Sequence, residues 1–401
     1  MPLIAVTARQ VFTPLETIED GVVLVEDGFI RDVFSRRAAE IPSSVRIIDL
    51  GERILAPGFV DLHIHGASGR DVMEGSEEAL IAVAQYAAQH GTTSFLPTTL
   101  TAPIEDLQRS LHGLDSAIGS WKKQTASSNK PLATPLGIHM EGPFLSPERR
   151  GVHPSLQLLN PSIPAFSRLR EAAGESLRIL TLAPELDGAI ELQAYAIQTG
   201  VRVALGHSNA TYEQTQRSID AGARHAVHVF NAMRPFSHRD AGIIGAVLTD
   251  DRVYTEVIVD GVHVEETALR LLLKAKGDEK ILLVTDAVSA TGMCPGRYML
   301  GGIEITLGDD PRTGRPCCRN IEGKLAGSVL TQDRAVRNFS AFTGVHLREA
   351  VKMASWNPAR LMGIENQKGS IQKGADADMV ALMPDGRVKG IMIGGIGTFG
   401  F

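Results

Sequence analysis

The chain has 401 residues, 43% of them apolar and 21% charged, which is ordinary globular composition with room for more than one core. Lys and Arg number 40 against 46 Asp and Glu, a net charge of -6 that excludes the basic surface expected of a nucleic-acid binder. No run of 18 apolar residues occurs, so no membrane span is expected.

The three cysteines, Cys294 and the adjacent Cys317 and Cys318, form no C-x-x-C pair. A sparse, odd set argues against a disulfide scaffold and for a reducing, cytoplasmic setting. The N-terminal stretch lacks a basic region followed by a long apolar one, so no signal peptide is expected.

Residues 1–56 read as short strands. Val22–Val25 and Phe29–Val33 flank Asp27-Gly28, a hairpin signal, and Arg46–Gly51 adds another strand. From Pro57 the pattern becomes strand, loop, helix, repeated. Eight apolar strands are expected: Phe59–His63, Thr93–Pro97, Leu136–Met140, Leu177–Leu182, Val201–Leu205, His225–Phe230, Val253–Val259 and Ile281–Thr285. Helical patterns separate most of them, at Glu77–Gln89, Glu105–Ile118, Asp187–Thr199, Tyr212–Ala221 and Glu265–Lys276. Eight such repeats predict an α/β fold, a closed (β/α)8 TIM-like barrel, with an open doubly wound sheet as the alternative. No G-x-G-x-x-G opens a helix after a strand, so nothing indicates a dinucleotide fold.

The Gly-rich segment Arg297–Gly327 reads as a β-hairpin insertion. Helices are expected at Val329–Thr343 and Leu347–Ser355, and a short one from Asn357. Strands return at Asp378–Leu382 and Gly386–Met392. Sheet at both ends predicts a small β-sandwich domain assembled from residues 1–56 and 357–401, around a barrel spanning 57–356.

Barrel active sites lie at the C-terminal ends of the strands. Strand one ends in His63 and His65, which share a face because side chains alternate along a strand. Strand three ends in His139-Met140-Glu141, strand five leads to His207, and strand six carries His228 followed by Asn231-Ala232-Met233. Strand seven leads to Asp260 and His263, and strand eight to Asp286. Each taken alone reads equally well as a capped or hydrogen-bonded loop residue. Together they predict a His, Glu and Asp set on one rim, without thiolate, suited to a catalytic Zn²⁺ or similar divalent ion with an open position.

The segments Pro57–Gly66, His139–Phe144, Gly206–Tyr212, His228–Met233, Asp260–Val264 and Thr285–Ala287 together resemble the amidohydrolase superfamily. Within it they are similar to the N-acetylglucosamine-6-phosphate deacetylase family. The likeness continues through Asn357–Gly363 and Lys368–Asp378, so it covers nearly the whole chain. It implies metal-dependent removal of the N-acetyl group from N-acetylglucosamine 6-phosphate, giving glucosamine 6-phosphate and acetate in amino-sugar catabolism. The galactosamine epimer or another amide substrate is the alternative.

The resemblance also implies roles. Glu141, His207 and His228 hold the main metal, Zn or Fe. His63 and His65, sharing Glu141, offer a second site, so one or two ions per subunit are expected. Strand four ends Ala183-Pro184-Glu185 with no lysine to bridge two metals, which leaves Glu141 as the bridge. Asp286 is the general base and then acid, and His153 steadies the carbonyl oxygen. Asn231, Ala232, Arg239 and His263 bind the phosphate of a small amino-sugar phosphate, with Arg239 reaching the neighbouring site in a homodimer. His139 supports the ligands from behind; His90, His112, His225 and His346 are structural.

Overall fold

The strand Ile54–Pro57 joins the two ends of the chain to the barrel. It pairs in parallel with Ile4–Phe12 on one edge and antiparallel with Met379–Leu382 on the other. Around it runs one hydrogen-bonded sheet of eight strands drawn from both ends of the chain, as expected of the small β domain. Its core includes Val6, Val23, Leu55, Met379 and Met392, all buried. The structure, a computed structural model, describes residues 3–42, 45–125 and 130–399; the outermost residues of the expected end strands, 1–2 and 400–401, lie outside these.

Immediately after this strand, Gly58 turns the chain into the barrel. A Cβ there would sit 2.1 Å from Cγ2 of Thr93, so only glycine fits the approach of the first two barrel strands. The eight barrel strands are Phe59–Ile64, Thr92–Thr99, Ile138–Glu141, Leu177–Leu182, Arg202–Leu205, His225–Ala226, Tyr254–Ile258 and Ile281–Val284. Each pairs in parallel with the next. The seam between the last and the first closes just beyond strand eight. There the Asp286 amide donates to His63 O at 2.9 Å and the His65 amide to Ala287 O at 2.8 Å. The predicted barrel is therefore present, and its closure sets the H-x-H pair beside Asp286. Val60, Leu62, Leu96, Ile179, Val227 and Leu282 form the buried core beneath that rim.

The helix Glu77–Gln89 runs as the sequence predicts. Ser76 caps it by accepting from the Ala79 amide, and Leu80, Val83, Ala84 and Ala87 face the core. Two buried-face helices, Ile163–Ala173 and Gly242–Thr249, were not among the expected elements. Strand three is shorter than expected and is preceded by a separate short strand, Thr134–Pro135. The break falls at Gly137, whose φ is 139°. Strand six stops at Ala226 rather than Phe230, because His228 and Phe230 take positive φ values that no ladder accommodates. The insertion is a three-stranded antiparallel sheet, Gly296–Leu300, Ile303–Asp309 and Pro316–Asn320, rather than a hairpin. Among the described residues no helix is long and apolar enough to cross a membrane.

Candidate metal centre and active site

The predicted rim residues converge on Glu141, buried at the end of barrel strand three. Its Oε1 lies 2.9 Å from Nε2 of His228, 3.2 Å from Nε2 of His207 and 3.4 Å from Nε2 of His63. Its Oε2 faces Nε2 of His153 at 3.4 Å and Nε2 of His65 at 3.5 Å. Asp286 Oδ1 stands 3.1 Å from His65 Nε2 and 3.7 Å from His63 Nε2. The ends of five strands and one loop thus bring seven ionisable side chains to one buried point.

The outer nitrogens of these rings decide what the inner ones offer. Nδ1–H of His65 donates to Thr98 O at 2.9 Å and Nδ1–H of His207 to Arg149 O at 3.1 Å; a carbonyl oxygen can only accept. Nδ1–H of His63 donates to the Glu256 carboxylate at 2.9 Å. In the neutral rings Nε2 then carries a lone pair aimed at carboxylate oxygens. Lone pairs facing anions repel unless a cation lies between them, and His63 Nε2 is buried with no hydrogen-bond partner of its own. Imidazole and carboxylate donors in this arrangement fit a divalent transition ion.

His153 is turned the other way. Its Nδ1 accepts from the Thr101 hydroxyl at 2.8 Å and the Thr101 amide at 3.4 Å, so the proton sits on Nε2 and points into the site. Burial, with the nearby His207 charge, pushes its pKa down to about 4, so it is a neutral donor near pH 7. Burial opposes charge on Glu141, but the His63 and His207 imidazoles hold its carboxyl well below the usual range. For Asp286, burial is likewise outweighed by its hydrogen bond with His65 and the charge of His63, and the pKa is lowered. Burial also opposes the charged form of His63, yet Glu141 and Glu256 hold its pKa well above the ordinary value, so the carboxylates demand a positive charge at Nε2, which either a second proton or a metal ion supplies. Both carboxylates are therefore anionic at neutral pH, as metal ligation and proton abstraction need.

Backbone strain is concentrated here. His207, His228, Phe230, Ala232 and Asp286 are five of the eight described non-glycine residues with positive φ. Such conformations cost about 1–3 kcal/mol each and cluster where a site over-determines them. Gly151, at φ 59°, lets the loop before His153 pass the His207 ring; a Cβ there would lie 3.2 Å from Cε1.

A cavity opens above the cluster, lined by His65, Glu141, His153, His207, His228 and Asp286. Asn231, Ala232 and His263 line the same cavity. Nδ1–H of His263 donates to Asp260 Oδ2 at 2.6 Å; burial opposes its charge, but Asp260 raises its pKa. Arg239 is exposed on the loop Phe236–Asp240 and does not line the cavity of its own chain.

Several contributors escaped the sequence reading. Glu256, fully buried, is the one charged residue in the apolar strand Tyr254–Ile258, and that interruption was the available signal. Thr101 gives no sequence signal for its contact with His153. Lys324, from the insertion, also lines the cavity. Glu185, just beyond barrel strand four, accepts from Ser208 Oγ and the Asn209 amide and holds the loop behind His207. His139 commits both nitrogens, Nδ1–H to Leu62 O at 3.0 Å and Nε2 to the Thr181 hydroxyl at 2.7 Å.

A parallel barrel with this His, Glu and Asp rim defines a metal-dependent hydrolase, and the chain belongs to the amidohydrolase family, whose model matches residues 54–396. It is 37% identical to the N-acetylgalactosamine-6-phosphate deacetylase of Escherichia coli O157:H7, over 97% of each chain. It is 36% identical to the N-acetylglucosamine-6-phosphate deacetylase of Bacillus subtilis strain 168, over 94% of this chain and 92% of the relative. Its fold matches that of a mutant N-acetyl-D-glucosamine-6-phosphate deacetylase from Mycobacterium smegmatis in complex with N-acetyl-D-glucosamine-6-phosphate. That match has a TM-score of 0.89 and 33% identity and covers 99% of each chain.

Proposed function

We propose that this chain removes the acetyl group from N-acetylglucosamine 6-phosphate by hydrolysis, giving glucosamine 6-phosphate and acetate in the cytoplasm. The observation that carries the reading is the convergence of four imidazole Nε2 atoms and Asp286 on Glu141, beneath a cavity that also holds His263. Glu141, His207 and His228 would hold one Zn²⁺ or Fe²⁺. His63 and His65, with Glu141 shared, would hold a second. Such an ion supplies Lewis acidity towards the carbonyl and acidifies water.

The protein's own groups do the rest. Asp286, anionic and buried, accepts the proton of the attacking water and returns it to the departing amine nitrogen. His153, neutral with its proton on Nε2, donates to the carbonyl oxygen as negative charge develops there. Asn231, the Ala232 backbone and His263 bind the phosphate, and Arg239 reaches it from the second subunit of a homodimer. The exposure of Arg239 outside its own cavity supports that assignment. All of these residues fall within 57–356, the segment assigned to the barrel domain.

A second reading has specific support: the E. coli relative is named for the galactosamine epimer. The test is kcat/KM for acetate release from both 6-phosphates and from both unphosphorylated sugars, on protein reloaded with Zn²⁺ or Fe²⁺. Preference for the phosphorylated glucosamine derivative is expected. A preference for the other epimer would shift the assignment to it, and equal rates with and without phosphate would refute the phosphate pocket.

A further inference from the structure

Glu256 has no part in the reaction just described, yet its position is demanding. It lies on the seventh barrel strand, fully buried. A carboxylate there costs several kcal/mol in lost hydration unless its partners compensate. Its Oε2 takes the Nδ1–H of His63 at 2.9 Å and the backbone N–H of His228 at 3.4 Å. Its backbone oxygen accepts from the Val229 amide at 2.8 Å. His225 Nε2 lies 2.8 Å from Oε1, in ion contact but off the direction of a hydrogen bond.

No other described residue can do this for His63. His139 packs edge-on to its ring, with centroids 4.7 Å apart, but both His139 nitrogens are committed elsewhere. His228 carries a φ of 25°, an unfavourable backbone conformation that needs an anchor. One carboxylate oxygen therefore touches residues from strand one and from the strand-six loop, both of which face Glu141.

We propose that Glu256 is a positioning residue. It holds His63 with its proton on Nδ1, so that Nε2 offers a lone pair towards Glu141, and it fixes the backbone of His228, so that one side chain aligns two ligands of the metal centre. The proposal rests on the metal-dependent reading of the site.

The test is a mutant cycle on the full chain. Wild type, Glu256→Ala, His63→Ala and the double variant are stripped of metal and titrated with Zn²⁺. Affinity is read by competition with a chelating dye and stoichiometry by elemental analysis. Glu256→Ala should bind the His63-dependent ion about 10- to 100-fold more weakly, the usual effect of removing such an outer partner. The double variant should lose no more of that affinity than His63→Ala alone. Glu256→Gln keeps an oxygen that can accept from Nδ1–H, and should recover most of the affinity. If Glu256→Ala does not fold, the same cycle is run with Glu256→Met, which keeps the side chain's length but offers no oxygen to Nδ1–H, and additive losses in its double variant would overturn the proposal. So would Zn²⁺ binding by Glu256→Ala indistinguishable from wild type. Wild-type protein that binds no Zn²⁺ would defeat the metal reading itself. Wild type that binds Zn²⁺ but releases no acetate would defeat the substrate assignment and leave the positioning role to stand or fall on the cycle.

Discussion

Replacing His153 by Ala isolates one donor from the rest of the centre. In the native site its Nε2–H lies 3.4 Å from Glu141 Oε2 and is held there by Thr101. Deleting one such preorganised donor costs a factor of about 10²–10³ in kcat, or ~2.7–4 kcal/mol of transition-state stabilisation. Glu141, His207 and His228 are untouched, so metal content should not change. The deletion leaves the buried hydroxyl and amide of Thr101 without their acceptor, which costs about 1–3 kcal/mol of folding stability.

The pH profile separates donor from acid. With its pKa at about 4, His153 keeps one protonation state from pH 5 upward. The ratio of wild-type to His153→Ala rates should therefore stay flat from about pH 5 to pH 9. Initial rates of acetate release at saturating substrate, measured across that range, give the ratio directly. A kcat within about threefold of wild type at unchanged metal content would refute the donor role, since even the weaker documented donors exceed it. A ratio that titrates within the range would refute the neutral-donor argument and make His153 a proton-transfer group.

Asp286→Asn should keep the metal content while kcat falls by about 10²–10⁴, the usual contribution of a positioned base; near-normal turnover would remove Asp286 from the mechanism. Arg239→Ala should raise KM for the phosphorylated substrate with little change in stability, and an unchanged KM would end its phosphate role. If Arg239 serves the neighbouring site, Arg239→Ala and Asp286→Asn subunits refolded together at equal ratio should recover about a quarter of wild-type activity. Only one site of each mixed dimer is then complete; no recovery would place Arg239 in its own chain's site. His139 is buried with a pKa lowered to about 3, first by burial and then by the charge of His63. As pH falls below 6.5 the unfolded chain takes up this proton before the folded one, so stability should decline from pH 6.5 towards 3. In urea unfolding at pH 7 and pH 5, His139→Gln should lose less stability between the two than wild type does, and an equal loss would contradict the shift.

Most of the site was legible because strand geometry does the work. A buried strand ending in H-x-H presents both rings to one side, and a parallel barrel collects every strand's C-terminal residues on one rim. Glu141, His207, His228 and Asp286 could be found one strand at a time. Helix Glu77–Gln89 was legible at both ends because Ser76 is a cap and its apolar residues recur at helical spacing. Helix Gly242–Thr249 was not. Gly242 through Leu248 are all buried, so the segment carries no polar face from which a period could be read. Helix Ile163–Ala173 did carry signals, Ser162 as cap and a proline in the first turn, and it stands between barrel strands three and four, but a long loop that carries His153 separates it from strand three.

What stayed hidden shares one cause: it depends on which residues meet across the barrel. Glu256 and His63 are 193 positions apart, and Thr101 and His153 are 52 apart; neither pair has a local pattern. Yet these contacts decide the chemistry more than the ligand types do. Two histidines in the same site have opposite protonation, His65 with its proton turned outward to the Thr98 carbonyl and His153 with its proton turned inward by Thr101. The first is prepared to bind a cation and the second to donate to an oxyanion. A sequence can supply six imidazoles at the rim without saying which is which. The assignment comes from the acceptor or donor standing behind each ring, so those partners, Glu256, Thr98, Arg149 and Thr101, are where the division of labour in this site is set.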